Sequence, residues 1–133
     1  MEDCIICKIV RGEAKSWKVY EDEHTFAFLD INPATEYHTL VVPKRHCVNL
    51  FDVPGDTLQK VVSTVKKVVS LYESKLGIRH VQVINSSGAE AQQDVFHLHM
   101  HIVPRSKGDG QDVVWTTHKE WRHQFDGWLS RLH

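Results

Sequence analysis

His97, His99 and His101 alternate with Leu98 and Met100, between Phe96 on one side and Ile102-Val103-Pro104-Arg105 on the other. Successive side chains of a β-strand point to opposite faces, so a strand here sets the three imidazoles in a row. Phe96, Leu98, Met100 and Ile102 then cover the opposite, core-facing side. Imidazoles serve near neutral pH as nucleophiles, proton relays or metal ligands. The plainer reading is a chance cluster on a solvated face, and the strict alternation with apolar residues argues against it. One metal on all three is a poor fit. Same-face neighbours on a strand lie about 6.5–7 Å apart, so the outer pair spans too far for a compact tetrahedral site. The three histidines are therefore expected to have different partners.

A second chemically capable group is Cys4-Ile5-Ile6-Cys7, with Cys47 as the remaining cysteine. Three cysteines do not suggest a disulfide framework. The Cys-x-x-Cys pair reads as a redox motif, as packing at a helix start, or as half of a zinc site completed by two histidines. A redox motif would want a preceding strand, and none is evident. Cys47 reads as a packing residue.

The elements that must position these groups follow from periodicity. Asp3 to Val10 reads as a short helix, with Asp3 as its N-cap and Gly12 ending it. Lys18 to Glu21, Thr25 to Leu29 and Thr39 to Val42 read as strands, the last closed by Pro43. Leu58, Val61, Val62, Val65, Val68, Val69, Tyr72 and Leu76 form one stripe at helical spacing, and Gly77 stops it. So many valines need tertiary burial to hold a helix. His80 to Ile84 and Phe96 to Val103 complete five strands. The polar stretch Asn85 to Asp94 between them suits a phosphate-contacting loop. Trp121, Phe125, Trp128, Leu129 and Leu132 predict a C-terminal helix that Gly127 weakens. Without βαβ alternation, the fold class is α+β: a five-stranded antiparallel sheet with one long helix and two short ones.

Composition sets the outer bounds. A chain of 133 residues suits a single domain over residues 1–133. A net charge of −1 gives no general field for nucleic acid or an anionic membrane. No basic stripe with interleaved aromatics is present, so neither of those partners is expected. No apolar run is long enough for a transmembrane helix. Met1-Glu2-Asp3-Cys4 carries no secretory pattern. The expected compartment is the cytoplasm, or also the nucleus in a eukaryote.

The stretch His97 to Val103 fits the signature His-φ-His-φ-His-φ-φ, φ being apolar. In this the chain resembles the histidine-triad (HIT) family of nucleotide hydrolases and transferases. Phe26 to Pro33 looks like that family's nucleoside-binding segment. His38 to His46 looks like the following strand and loop, and Asn85-Ser86-Ser87-Gly88 like its phosphate-side loop. The match spans about residues 3–105 and leaves 106–133 as an extension.

The resemblance implies hydrolysis at the α-phosphate of adenosine (purine) nucleotide conjugates, such as diadenosine polyphosphates or nucleoside phosphoramidates. His99 would be the nucleophile, forming a nucleotidyl-histidine and releasing an AMP-type product. A carbonyl near His38 or on a facing strand would hold its other nitrogen, and His38 and His101 would contact phosphate oxygens or His99. Asn85 would hydrogen-bond the phosphate, and Asp30 the ribose hydroxyls, with a turn role beside Asn32-Pro33 as the alternative for Asp30. Ile5, Ile6, Ile9, Phe28, Leu29, Ile31 and Leu40 would form the base slot, although core packing explains each equally well on composition. The slot shows no base-reading pair, so purines are expected broadly, adenine foremost. The resemblance also implies a structural zinc on Cys4, Cys7, His46 and His97, no cofactor in the chemistry itself, and a homodimer joined across a two-fold axis.

One departure matters. Relatives often carry Gly-x-Ser before the triad, whereas this chain has Gln92-Gln93-Asp94. An ionised Asp94 cannot donate to a leaving group and repels phosphate; Gln93 offers a donor in its place. The alternative reading is therefore a nucleotide-binding, zinc-stabilised interaction protein with little turnover.

Overall fold

The computed structural model describes residues 3–133. A short helix α1 (Ile5–Val10) precedes strands β1 (Lys18–Glu21), β2 (Thr25–Leu29) and β3 (Thr39–Pro43). The long helix α2 (Gly55–Leu76) follows, then β4 (Val81–Ile84), β5 (Met100–Pro104) and a terminal helix α3 (Phe125–Ser130). The sheet order is β1-β2-β3-β5-β4, with every neighbouring pair antiparallel. The fold is the expected α+β arrangement.

Strand alternation divides the sheet into two working faces. Ala27, Val41, Met100 and Ile102 pack against Val61, Val65, Val68 and Tyr72 of α2. Burying each large apolar side chain is worth about 1.5–3 kcal/mol, which offsets the weak helix propensity of the valines. Two buried hydroxyl pairs tie α2 to the sheet: Thr25 to Thr64 at 2.7 Å and Thr39 to Tyr72 at 2.6 Å. The Gly77 backbone, at φ +70°, closes α2 by donating to the Glu73 carbonyl. The other face presents Phe26, Phe28 and Val42 to Ile6 of α1, with Leu40 alongside. Register pairs Phe28 with Leu40 and Leu40 with His101, so all three stand on this second face.

Three boundaries differ from expectation. The ladder of β5 begins only at Met100, because the preceding segment bonds to the β3–α2 loop instead. Leu98 N–H donates to the Cys47 carbonyl at 2.7 Å, and the His97 ring reaches the Pro43 carbonyl at 2.8 Å. Phe96, expected on the core side, is half exposed. At α1 the N-cap is Cys4 rather than Asp3, its sulfur accepting from Cys7 N–H at 3.3 Å. The C-terminal stretch is a 3₁₀ turn (Lys119–Gln124) leading into the one-and-a-half turns of α3. Its aromatic and aliphatic side chains, and Val62 and Leu76 of α2, remain exposed in the single chain. Among the described residues, no helix is long and apolar enough to cross a membrane.

Candidate active site and metal centre

The second face of the sheet carries a cavity of about 500 Å³. Ile5, Ile6 and Ile9 of α1 form one wall, and Phe28 and Leu40 the floor. The end of β2 supplies Leu29, Asp30 and Ile31, with Ile31 at the exposed rim. At the triad end, His38, His99, His101 and Asp94 face the same space.

Hydrogen bonds to the backbone set each ring's tautomer. His99 Nδ1 lies 2.7 Å from the His97 carbonyl. A carbonyl only accepts, so Nδ1 carries the proton and the Nε2 lone pair is left for attack. The holder is thus two residues back on the same segment, not near His38 or on a facing strand. Residues 95–97 bend and lie outside the ladder, which begins at Met100, and this lets the His97 carbonyl turn to the ring. Ala34 N–H donates to His38 Nδ1 at 2.9 Å, so His38 carries its proton on Nε2 and donates to His101 Nδ1 at 2.9 Å. His101 then presents Nε2–H as a donor.

Burial holds this relay neutral. Desolvation lowers His38, opposed by the Asp30 carboxylate. Desolvation, with His99 and His38 close by, pushes His101 down to about 4 against the pull of Asp30 and Asp94. Asp30 Oδ2 lies 3.5 Å from His38 Nε2, while Oδ1 accepts from Asn32 N–H at 2.8 Å. The carboxylate therefore performs the local turn role with one oxygen and faces the cavity side with the other. Asp30, His38 and His101 bring three potential ligand atoms within 4.8 Å of one another. A proton on His38 Nε2 makes this trio a hydrogen-bond relay rather than a metal site.

A better metal centre lies behind the triad. Cys4, Cys7, His46 and His97 bring one ligand atom each within 4.8 Å of the others. Cys4 Sγ and Cys7 Sγ lie 3.4 and 3.5 Å from His97 Nδ1, and Cys7 Sγ lies 3.4 Å from His46 Nδ1. Zn–S near 2.3 Å and Zn–N near 2.05 Å at a tetrahedral angle place S and N about 3.6 Å apart. The donor set fits zinc. His97 Nε2 donates to the Pro43 carbonyl, which leaves the Nδ1 lone pair pointing at the sulfurs. Burial, then the neighbouring Cys4 sulfur, raises the Cys7 thiol, so metal binding must expel its proton. Cys47 is buried away from this set, as a packing residue.

Two expected ligand-binding side chains do not line the cavity. Asn85 Nδ2 donates to the His99 carbonyl at 3.1 Å, and its oxygen accepts from Ser87 Oγ at 2.7 Å. Asn85 thus braces the backbone of the nucleophile. Gln93 is 5% exposed and fully used. Its oxygen accepts from Asn49 Nδ2 and Gly88 N–H, and its nitrogen donates to the Val48 and Val95 carbonyls. No donor remains for a leaving group, because this side chain staples the 85–95 loop to the loop before α2. Gln92 beside it holds φ +72°, a left-handed position that glycine would occupy without cost. Gln93→Ala is expected to destabilise the fold by about 1–3 kcal/mol, since it strands buried donors and acceptors. An unchanged urea midpoint would refute the staple.

The sequence reading passed over Lys15, Ser16 and Trp17, which also line the cavity. They carry no motif. The β1–β2 pairing of Lys18 with Phe28, and the bond from Leu29 N–H to the Trp17 carbonyl at 3.0 Å, bring them beside the end of β2.

Comparison with known proteins agrees with this architecture. The family model "HIT domain" matches residues 11–108. Protein hit of Bacillus subtilis is 43% identical over 120 residues, covering 90% of this chain and 83% of the relative. Adenylylsulfatase HINT3 of Arabidopsis thaliana is 34% identical over 121 residues, covering 91% of this chain and 60% of that protein. A crystal structure of a HIT family protein from Bacillus anthracis superposes with TM-score 0.90 at 35% identity, over 98% of this chain and 95% of that one. A zinc-bound histidine triad family protein from Mycobacterium smegmatis superposes with TM-score 0.79 at 33% identity, over 98% and 96%. With its triad, its sheet and its Cys/His centre so arranged, the chain belongs to the HIT domain family.

Proposed function

We propose that this protein is a nucleotide hydrolase acting at the α-phosphate of purine nucleotide conjugates, with His99 as nucleophile. The observation that carries the reading is the proton placement on His99. Its Nδ1–H is committed to the His97 carbonyl, and its Nε2 faces a cavity shared with the His38–His101 relay. His99 Nε2 attacks phosphorus, the bond to the leaving group breaks, and AMP stays on the enzyme through a P–N bond. Water then attacks phosphorus, releasing AMP and restoring the imidazole. His101 Nε2–H donates to phosphate oxygens as charge builds on them. The apolar walls take the base and Asp30 Oδ2 takes a ribose hydroxyl. The Arabidopsis relative is an adenylylsulfatase, a name that itself specifies an adenylyl substrate. Adenosine phosphoramidates and diadenosine polyphosphates are the substrate classes to compare.

Zinc on Cys4, Cys7, His46 and His97 has a structural part in this reading and takes none in the chemistry. The zinc-bound mycobacterial relative and the fit of the donor set support it. Mass spectrometry of a quenched reaction tests the function directly: wild type gains one AMP on the peptide containing His99. Turnover without any adduct, and with no loss in His99→Ala, would sink the mechanism. A second reading, a binding protein with little turnover, draws on Asp94, whose carboxylate lines the phosphate end of the cavity. AMP bound without hydrolysis of either substrate class would favour it.

The working unit in this proposal is a cytoplasmic homodimer. β4 is an edge strand, Val83 and Ile84 on it are partly exposed, and so are the tail's tryptophans. Exposed edges and aromatic faces of this kind are ordinarily covered. Sedimentation at micromolar concentration is expected to give twice the 15.4 kDa chain mass. A 15.4 kDa species would refute the dimer.

A further inference from the structure

Cys4 and Cys7 read in the sequence as a redox pair or as half of a zinc site, and the fold admits both in turn. Cys4 lines a separate cavity of about 460 Å³ beside the metal centre, with His46, Asp94 and Phe96. Cys4 is partly exposed there, whereas Cys7 is buried. Their sulfurs lie within 4.8 Å of each other. Cys47 is buried and outside the set. One thiol therefore meets small solutes, and a second stands within reach of it. The same two cysteines bracket Ile5 and Ile6, which line the cavity that holds His99. α1 has six residues, too few to hold a helix by its own hydrogen bonds. Besides its apolar packing on Phe26 and Phe28, it is tied to the body where the sulfurs meet His97 and His46, each contact at 3.4 Å.

We infer that Cys4 and Cys7 are a reversible oxidation site for peroxide, and that closing them into a disulfide unties α1 and loosens the Ile5–Ile6 wall of the active-site cavity. The inference rests on the zinc reading of this centre and adds its regulation. Metal binding keeps both sulfurs as thiolates, the nucleophilic form. The Cys4 sulfur attacks one oxygen of hydrogen peroxide: an S–O bond forms, the O–O bond breaks, and the departing hydroxide takes a proton to become water. The Cys7 sulfur then attacks the Cys4 sulfur. An S–S bond forms, the S–O bond breaks, and the second hydroxide also leaves as water. The two thiolates are oxidised by two electrons in all, and the peroxide is reduced by the same two. His46 and His97 then remain as two ligands, short of the four of a structural zinc site. His97 also loses the hold on its ring Nδ1, and its carbonyl is the acceptor that orients His99. A dithiol reverses the step by exchange.

Hydrogen peroxide titrated into the full chain, purified with its zinc, tests the inference without needing turnover. A chromophoric chelator is expected to collect about one zinc per chain. Thiols counted in denaturant should fall from three to one, and the tryptic peptide ending at Lys8 should be lighter by two hydrogens. Amide exchange across α1 should quicken about tenfold or more. AMP should bind about tenfold more weakly, the scale of losing one apolar wall contact. Dithiothreitol with added zinc should restore both. Cys4→His keeps four zinc ligands without a disulfide partner, so its zinc should stay in peroxide that empties wild type. Chelated, reduced wild type is the second comparison. It should match the oxidised protein in exchange and AMP affinity yet take up zinc at once, whereas the oxidised protein should do so only after dithiothreitol. Zinc retained by wild type in peroxide that oxidises free cysteine overturns the site, and so does release without the Cys4–Cys7 disulfide. Release with α1 exchange unchanged overturns the loosened wall. A chain purified without zinc defeats the zinc reading and the inference with it. If AMP does not bind the loaded protein, the nucleotide reading fails, and α1 exchange still decides the inference.

Discussion

Replacement of His99 by alanine is expected to lower kcat/KM for an adenosine phosphoramidate and for diadenosine tetraphosphate by about 10⁴- to 10⁶-fold. AMP should still bind. The size follows from removing the atom that forms the bond, which no neighbour replaces. His101 Nδ1 is occupied as acceptor of the His38 proton, and His97 Nδ1 faces the cysteine sulfurs. Neither ring offers a free lone pair to the cavity. His101→Ala should cost less, on the order of 10²-fold, because it removes a donor to phosphate rather than the nucleophile. Asn85→Ala acts through the His99 backbone and should lower kcat more than it raises KM. Steady-state rates of the three variants measured side by side check this order. A His99→Ala enzyme within tenfold of wild type would remove the nucleophile assignment.

Loss of the metal centre is the second large effect. His46→Ala, or chelation of wild type, is expected to lower Tm by roughly 10 °C or more, the scale of losing a structural metal in a domain of this size. Metal analysis of protein purified without chelator should find about one zinc per chain, and well under one would defeat the assignment. Acid should act in the same direction. Without metal, burial holds His97 at about 4 in the fold, against 6.5 for the unperturbed side chain. Between those values the unfolded chain binds a proton that the fold refuses. Stability is therefore lost as pH falls through 6.5 toward 4, by on the order of 3 kcal/mol from this one group. With metal bound, protons compete for His46, His97 and both sulfurs, so acidification strips the centre. Thermal melts from pH 7.5 to 4.5 check the sign; a Tm flat across that window would contradict it. His46 tests the centre more cleanly than His97, whose ring also donates to the Pro43 carbonyl.

Much of the site was legible because it lies on one stretch with a period of two. The alternation of His97, His99 and His101 with apolar residues set their common side before any contact was known. The stripe of α2 and the stop at Gly77 were equally plain, since helix period and a left-handed cap are local properties. Roles that depend on partners distant in sequence were not legible. The resemblance implied Asn85 as a phosphate contact and Gln93 was offered as a donor in place of a serine, and their hydrogen bonds go to backbone and loop instead. The C-terminal apolar residues have the spacing of one helix. Their stretch begins as a 3₁₀ turn, and among the described residues its side chains stay largely exposed, so little burial rewards a full helix.

By itself the sequence determined which residues can perform the chemistry, which of them alternate with core residues, and the order of elements that carries them. Periodicity and side-chain type are written residue by residue, and the α+β class follows from them. Tertiary structure alone decided which histidine nitrogen keeps its proton, because each tautomer depends on one carbonyl or amide placed by the fold: His97 for His99, Ala34 for His38, Pro43 for His97. It alone gathered Cys4 and Cys7 with His46 and His97, and set Lys15 and Trp17 against the end of β2. Strand order and loop closure make those neighbours, and a one-dimensional pattern does not encode which distant segments meet.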